Sequence, residues 1–186
     1  MTLGSAGPWD QTYGAMNRRG IELALAELNA RPEYRDAQIS IEFRNDSGSG
    51  ARAAQIAQEF VDNPEIIAVV GHVNSGAMVS AAKVYDGQLA AVATTASSPD
   101  LTGISPWAFR VISSDSANGI EIARWAARRG LTRTAILYEN NPYGRGLADA
   151  FRTAFRGEVI SIDPIAEGAD QDFEPHIAYY KAERPT

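Results

Sequence analysis

Met16, Ile21, Ala24, Leu25 and Leu28 recur at helical spacing and Arg31-Pro32 closes the run, so Gly14 to Ala30 predicts an amphipathic helix. The next stretch alternates: Ile39, Ile41 and Phe43 fall on one face and Gln38, Ser40 and Glu42 on the other, the period of a half-exposed strand. After a turn at RNDSGSG, helical spacing returns from Ala51 to Val61 through Ala54, Ile56, Ala57 and Phe60, ended by Asp62-Asn63-Pro64. Ile66 to Val70 is an unbroken apolar run before a glycine, which predicts a strand buried on both faces of a parallel sheet. A helix from about Gly76 to Tyr85, a buried strand from Leu89 to Ala93 and a short strand from Trp107 to Ile112 follow.

Beyond Asp115 the rhythm restarts. A helix is predicted from Asn118 to Arg129, a strand from Thr134 (TAILY), a helix from Gly144 to Phe155, a strand from Glu158 (EVISI) and a helix from Phe173 to Ala182. Strands alternating with helices in this way specify an α/β fold with parallel sheets and right-handed crossovers. Only two strands follow Asp115, too few for a covered sheet of usual size. The second half is therefore expected to be an incomplete lobe, stopping partway or completed by a partner chain, whose exposed strand edges and apolar faces invite a homodimer.

Composition narrows the function classes. The 186 residues are 45% apolar and 22% charged, the balance of a globular chain with a sizeable core. A net charge of −6 without a basic cluster argues against nucleic acid. Arg18-Arg19 and Arg128-Arg129 read as solvated helix faces. With no cysteine there is no disulfide, thiol nucleophile or thiolate metal site. No window suits a membrane span and MTLGSAGPWDQ lacks the pattern of a signal peptide, so export would imply a leader already removed.

Candidate chemistry gathers at two strand ends. Ser75 follows the strand ending at Val70, and Thr94, Thr95, Ser97 and Ser98 follow the strand ending at Ala93. In open parallel sheets ligands bind outside the carboxyl ends of strands, where helix N-termini and hydroxyls suit a carboxylate or another small anion. Taken singly, Ser75 reads as a helix N-cap and Ser98, before Pro99, as turn chemistry. Enzyme signatures are weaker: GHVNSGA is not a nucleophile elbow, NDSGSGAR lacks the Lys-Ser/Thr of a phosphate loop, and His72 and His176 have no metal spacing. His72 as a base beside Ser75 is the remaining hydrolase alternative.

The stretches GPWDQTYGAMNRRGIELALAELNA, RNDSGSGARAAQIAQEFVDNPEIIAVVGHVNSG, ASSPDLT, WAFRVISSDSANG and AILYENNPYGRGLADAF, in this order over nearly the whole chain, resemble the type I periplasmic binding proteins of the branched-chain amino acid (Leu/Ile/Val) kind. These are solute receptors of ABC importers. The resemblance implies a Rossmann-like parallel sheet flanked by helices, with residues 1–114 an N-terminal α/β lobe and 115–186 part of a second, the two closing on a ligand like a clamp. It implies an extracytoplasmic protein, periplasmic or at the cell surface, that binds a small amino acid or related carboxylate or amide and hands it to an ABC permease, with no chemistry, no cofactor and no metal. By residue, it matches Ser75 to a carboxylate-binding serine, Ser97 to a hydroxyl holding the head group beside backbone groups of Thr95 and Ala96, and Tyr13 and Tyr143 to aromatic contacts. Asp115 falls where an acid sits near the ligand ammonium, or serves a hinge or helix cap. Arg110 is expected to be structural, and Tyr85 and Trp107 to pack in the core or between lobes. The strand before GPWD is expected to be mostly absent, MTLGSA supplying only its end. A ligand-sensing domain of a signalling or transcriptional regulator is the main alternative.

Overall fold

Five parallel strands build the first sheet, and their spatial order differs from their order in the chain. The computed structural model describes residues 1–167 and 172–186, which divide into two compact units, Met1–Ile112 and Ser113–Thr186. In the first unit β1 (Thr2–Gly7), α1 (Thr12–Asn29), β2 (Ser40–Asn45), α2 (Gly50–Asp62), β3 (Ile66–Gly71), α3 (Ser75–Tyr85), β4 (Ala90–Ala93) and β5 (Ala108–Arg110) follow one another. The sheet order is β2-β1-β3-β4-β5, all parallel.

The strand expected to be mostly absent is present and central. Thr2–Gly7 pairs with β2 on one side and β3 on the other, and the Ser5 hydroxyl donates to the Val70 carbonyl at 2.8 Å. Its residues, TLGSAG, include one large apolar side chain, so neither alternation nor an apolar run marks it. Smallness is its function: a methyl at Gly4 would stand 2.9 Å from the Phe60 ring, so α2 packs directly on the backbone.

Helices α2 and α3 cover one face. Ile56 and Phe60 from α2 and Met78 and Tyr85 from α3 are fully buried against Val69 and small residues such as Ala6, Ala91 and Ala93. Alanines at Ala53, Ala57, Ala77, Ala81 and Ala82 complete this layer and let helix and sheet approach closely. The Ser49 hydroxyl caps α2 by accepting from the Arg52 N–H at 3.3 Å. Ser49→Ala is expected to lower stability by about 1 kcal/mol, read from the urea midpoint at constant slope.

The other face is barer than the sequence suggests. Of α1 only Gly14 is buried; Met16 and Ala24 from its expected apolar stripe are exposed, and Ile21, Leu25 and Leu28 are half-buried. Ile67 is 52% exposed, so β3 is buried on one face rather than two. Trp107, expected to be packed, is 40% exposed and precedes a strand of only three residues.

The second unit contains α4 (Asp115–Arg128), β6 (Arg133–Glu139), α5 (Pro142–Ala154), β7 (Glu158–Ile165) and α6 (Glu174–Glu183). Here β6 and β7 form a parallel pair. Ala123, Ala126 and Phe155 are its small buried cluster. Helices α4 and α5 meet at Gly119, where a methyl would lie 2.6 Å from the Ala150 Cβ. The Asn141 side chain caps α5 by accepting from the Gly144 N–H at 2.8 Å. Hydroxyls of Ser161 and Tyr180 donate to Asp163 and hold its carboxyl below the usual range.

Candidate functional site

In an all-parallel sheet every strand presents its carboxyl end at the same edge. The chain crosses from β1 outward to β2 and then back past β1 to β3, so the order reverses between β1 and β3, the kind of switch point at whose carboxyl edge open parallel sheets bind ligands. Tyr13 follows β1, Asn74 and Ser75 follow β3, and Thr94 to Ser98 follow β4. The strands β1, β3 and β4 are immediate neighbours.

These loops are tied by hydrogen bonds. The Ser75 hydroxyl oxygen accepts from the backbone N–H groups of Ser97 and Ser98, both at 3.2 Å. Thr95 donates its hydroxyl to the Val73 carbonyl at 2.9 Å. The Asn74 amide donates to the Tyr13 hydroxyl at 2.8 Å, linking the segments that follow β3 and β1. Ser75 and Ser97 are each only 4% exposed and Ala96 is buried, whereas Thr95 and Tyr13 face solvent. Five of the residues expected in a site therefore share one edge of the first unit.

Ser75 does not cap α3, as its serine taken alone suggests. It is the first helical residue, and Asn74 occupies the extended cap position without a side-chain cap bond. Ser98 does behave as turn chemistry, accepting from the Asp100 N–H at 3.2 Å. A serine hydroxyl has two acceptor sites and one proton. With Ser97 and Ser98 filling the acceptor sites, Ser75 has its proton left to donate. Beside the N-terminal end of α3, that donor suits an anionic acceptor.

Arg110 closes the far side of the same loop. One guanidinium nitrogen donates to the carbonyls of Ser98 (2.9 Å) and Ser97 (3.4 Å), and the other to the Thr102 hydroxyl at 2.6 Å. Next to it a cavity of about 140 Å³ is lined by Leu101, Thr102, Gly103, Ala108, Phe109 and Arg110. It includes neither Ser75 nor Ser97.

The hydrolase pairing of His72 with Ser75 is not formed. His72 is fully buried, with Nδ1 2.7 Å from Asp46 Oδ2 and Nε2 3.1 Å from the Tyr85 hydroxyl. Burial and the Asp46 charge push the Tyr85 phenol up, so it stays protonated and able to donate. Both ring nitrogens are thus committed to the interior, and the imidazole braces the turn three residues before Ser75 instead of activating it.

Asp115 and Tyr143 belong to the second unit. Asp115 is buried at the first position of α4 and accepts from the Asn118 side chain at 3.0 Å; Ser114, not Asp115, fills the cap. Tyr143 is exposed in the first turn of α5. Sequence reasoning missed Asn74, the Asp46–His72–Tyr85 network and the grip of Arg110 on the loop. Among the described residues no group of three His, Cys, Asp or Glu side chains could hold a metal ion, and no helix is long and apolar enough to cross a membrane.

The family described as periplasmic binding protein matches residues 2–186. A Leu/Ile/Val-binding protein homolog 2 of Brucella abortus is 29% identical over 175 residues, 91% of this chain and 47% of that relative. A leucine-, isoleucine-, valine-, threonine- and alanine-binding protein of Pseudomonas aeruginosa is 28% identical over 91% of this chain and 46% of its own length. An ABC transporter substrate-binding protein from Desulfitobacterium hafniense, solved in complex with Leu, has a TM-score of 0.77 at 29% identity, covering 98% of this chain and 56% of that one. The leucine binding protein LivK of Thermotoga maritima shares the fold, with a TM-score of 0.89 at 21% identity over 100% of this chain and 54% of its own. The chain spans about half the length of the relatives it matches. Matched by that family over residues 2–186, the chain belongs to the periplasmic binding protein family.

Proposed function

We propose that this chain is part of an extracytoplasmic receptor of an ABC importer, which binds the carboxylate of a small amino-acid-like solute at the carboxyl edge of the first unit's sheet and passes it on unchanged. The observation that carries the reading is the Ser75 hydroxyl, whose acceptor sites are occupied by two backbone N–H groups and whose proton is left for an anion. The names of the relatives, a Leu/Ile/Val-binding protein homolog and a leucine-, isoleucine-, valine-, threonine- and alanine-binding protein, support an amino acid as that anion. In this reading Ser75 and Ser97 hold the carboxylate and backbone groups of Thr95 and Ala96 hold the head group. Tyr13 and Tyr143 are aromatic contacts and Asp115 offsets the ammonium charge. The partner of the whole receptor is an ABC permease. Self-association of the chain itself is a second partner reading, favoured by β6 and β7 each pairing only with the other among the described residues; sedimentation velocity reads it directly.

Calorimetry with L-leucine, L-isoleucine and benzoate tests the site. Binding of at least one carboxylate is expected, and Ser75→Ala should weaken it about tenfold or more, the worth of a hydrogen bond to a charged group. Unchanged affinity in Ser75→Ala removes this serine from the site.

A further inference from the structure

We propose that Arg110 is a positioning residue for ligand binding, acting on Ser75 through a single peptide group without touching the ligand. The inference rests on the proposed role of Ser75. The carbonyl of Ser97 and the N–H of Ser98 belong to one planar peptide and point in opposite directions. Arg110 grips that carbonyl from one side at 3.4 Å, and the N–H on the other side donates to Ser75 Oγ at 3.2 Å. A cation on the carbonyl polarises the amide and makes its N–H a better donor. That N–H in turn fills an acceptor site of Ser75 and directs the hydroxyl proton away from the loop, toward the anion.

Three features support this relay over a general packing role. The register pairs Arg110 with Ala93, the last residue of β4, so the guanidinium stands beside the start of the loop that it holds. Its second nitrogen is anchored on Thr102, which keeps the guanidinium from swinging toward a ligand. A planar two-nitrogen fork can span the Ser98 carbonyl and Thr102 at once, whereas a lysine ammonium offers a single point of attachment.

The test uses Arg110→Met and Arg110→Lys in the 186-residue chain, each alone and combined with Ser75→Ala. The expected result with L-leucine is a loss of affinity of about fivefold for either single variant, shrinking to within about twofold when Ser75 is already alanine. An unchanged affinity in both single variants overturns the relay. So does an equal loss with and without Ser75, which would mean that the guanidinium meets the ligand directly. A ligand-free readout separates this inference from the functional reading: Arg110→Met should move the Ser98 amide proton resonance upfield more than that of Ser97. If the wild-type chain binds no carboxylate, the functional reading fails and the Ser98 shift still decides whether Arg110 sets that hydrogen bond; an unmoved Ser98 resonance refutes it.

Discussion

His72→Leu is expected to destabilise the first unit by about 3–5 kcal/mol, seen as a large drop in the urea midpoint. His72 and Asp46 are both completely buried. The Asp46 carboxylate only accepts, so Nδ1 of His72 carries the proton between them at 2.7 Å. Nε2 shares a hydrogen bond with the Tyr85 hydroxyl at 3.1 Å, and burial and Asp46 keep that phenol protonated. Replacing the imidazole by an apolar chain removes the partner of a buried carboxylate and of a buried phenol together. The Gly48 N–H, which donates to the other Asp46 oxygen at 2.9 Å, is the carboxylate's remaining bond of this network. Tyr85→Phe should cost only about 1 kcal/mol, since it deletes one hydroxyl and keeps the ring. The double change Asp46→Leu with His72→Leu should cost less than the sum of the two, because no orphaned charge remains. A His72→Leu variant within about 1 kcal/mol of wild type would show that the network contributes little.

Much of this architecture is written in the spacing of apolar residues. Helix α2 is legible because Ile56 and Phe60 are buried where the periodicity puts them, and strand β3 is legible in position as an apolar run, although that run buries Val69 and leaves Ile67 exposed. Strand β1 is not legible, since a strand in contact with an overlying helix is selected for small side chains and loses its hydrophobic signature. The stripe on α1 is legible as a helix but misleading about burial: Met16 and Ala24 are exposed and none of its five residues is fully buried. Periodicity reports which residues share a face, not what covers it. At the site, the hydroxyls of Ser75, Thr95 and Ser97 are visible as a pattern at two strand ends. Their partners are not, because the Ser75 bonds run to backbone N–H groups more than twenty positions away, and any residue can supply those. Arg110 is readable as a structural arginine, but its target is set by β4–β5 pairing and cannot be inferred from its own neighbours in the chain.

Phe60→Ala is expected to cost about 3–5 kcal/mol, the range for emptying a fully buried aromatic site. The ring is 1% exposed and lies over Gly4, in the strand that holds β2 and β3 together. The surrounding structure cannot easily collapse into the space, since on α2 Ala53 and Ala57 are methyl-sized, Ile56 is already fully buried in its own packing, and the sheet backbone is fixed by pairing on both sides. Gly4→Ala probes the same contact from the other side. Its methyl would meet the ring at 2.9 Å and should destabilise by about 1–3 kcal/mol through overpacking. Combined with Phe60→Ala, however, Gly4→Ala places its methyl in the vacated volume, and the pair should be less destabilising than the sum of the singles by about 1 kcal/mol or more. Strict additivity in denaturant melts would mean that the ring and the glycine do not depend on each other, and that the bare backbone of β1 has some other cause.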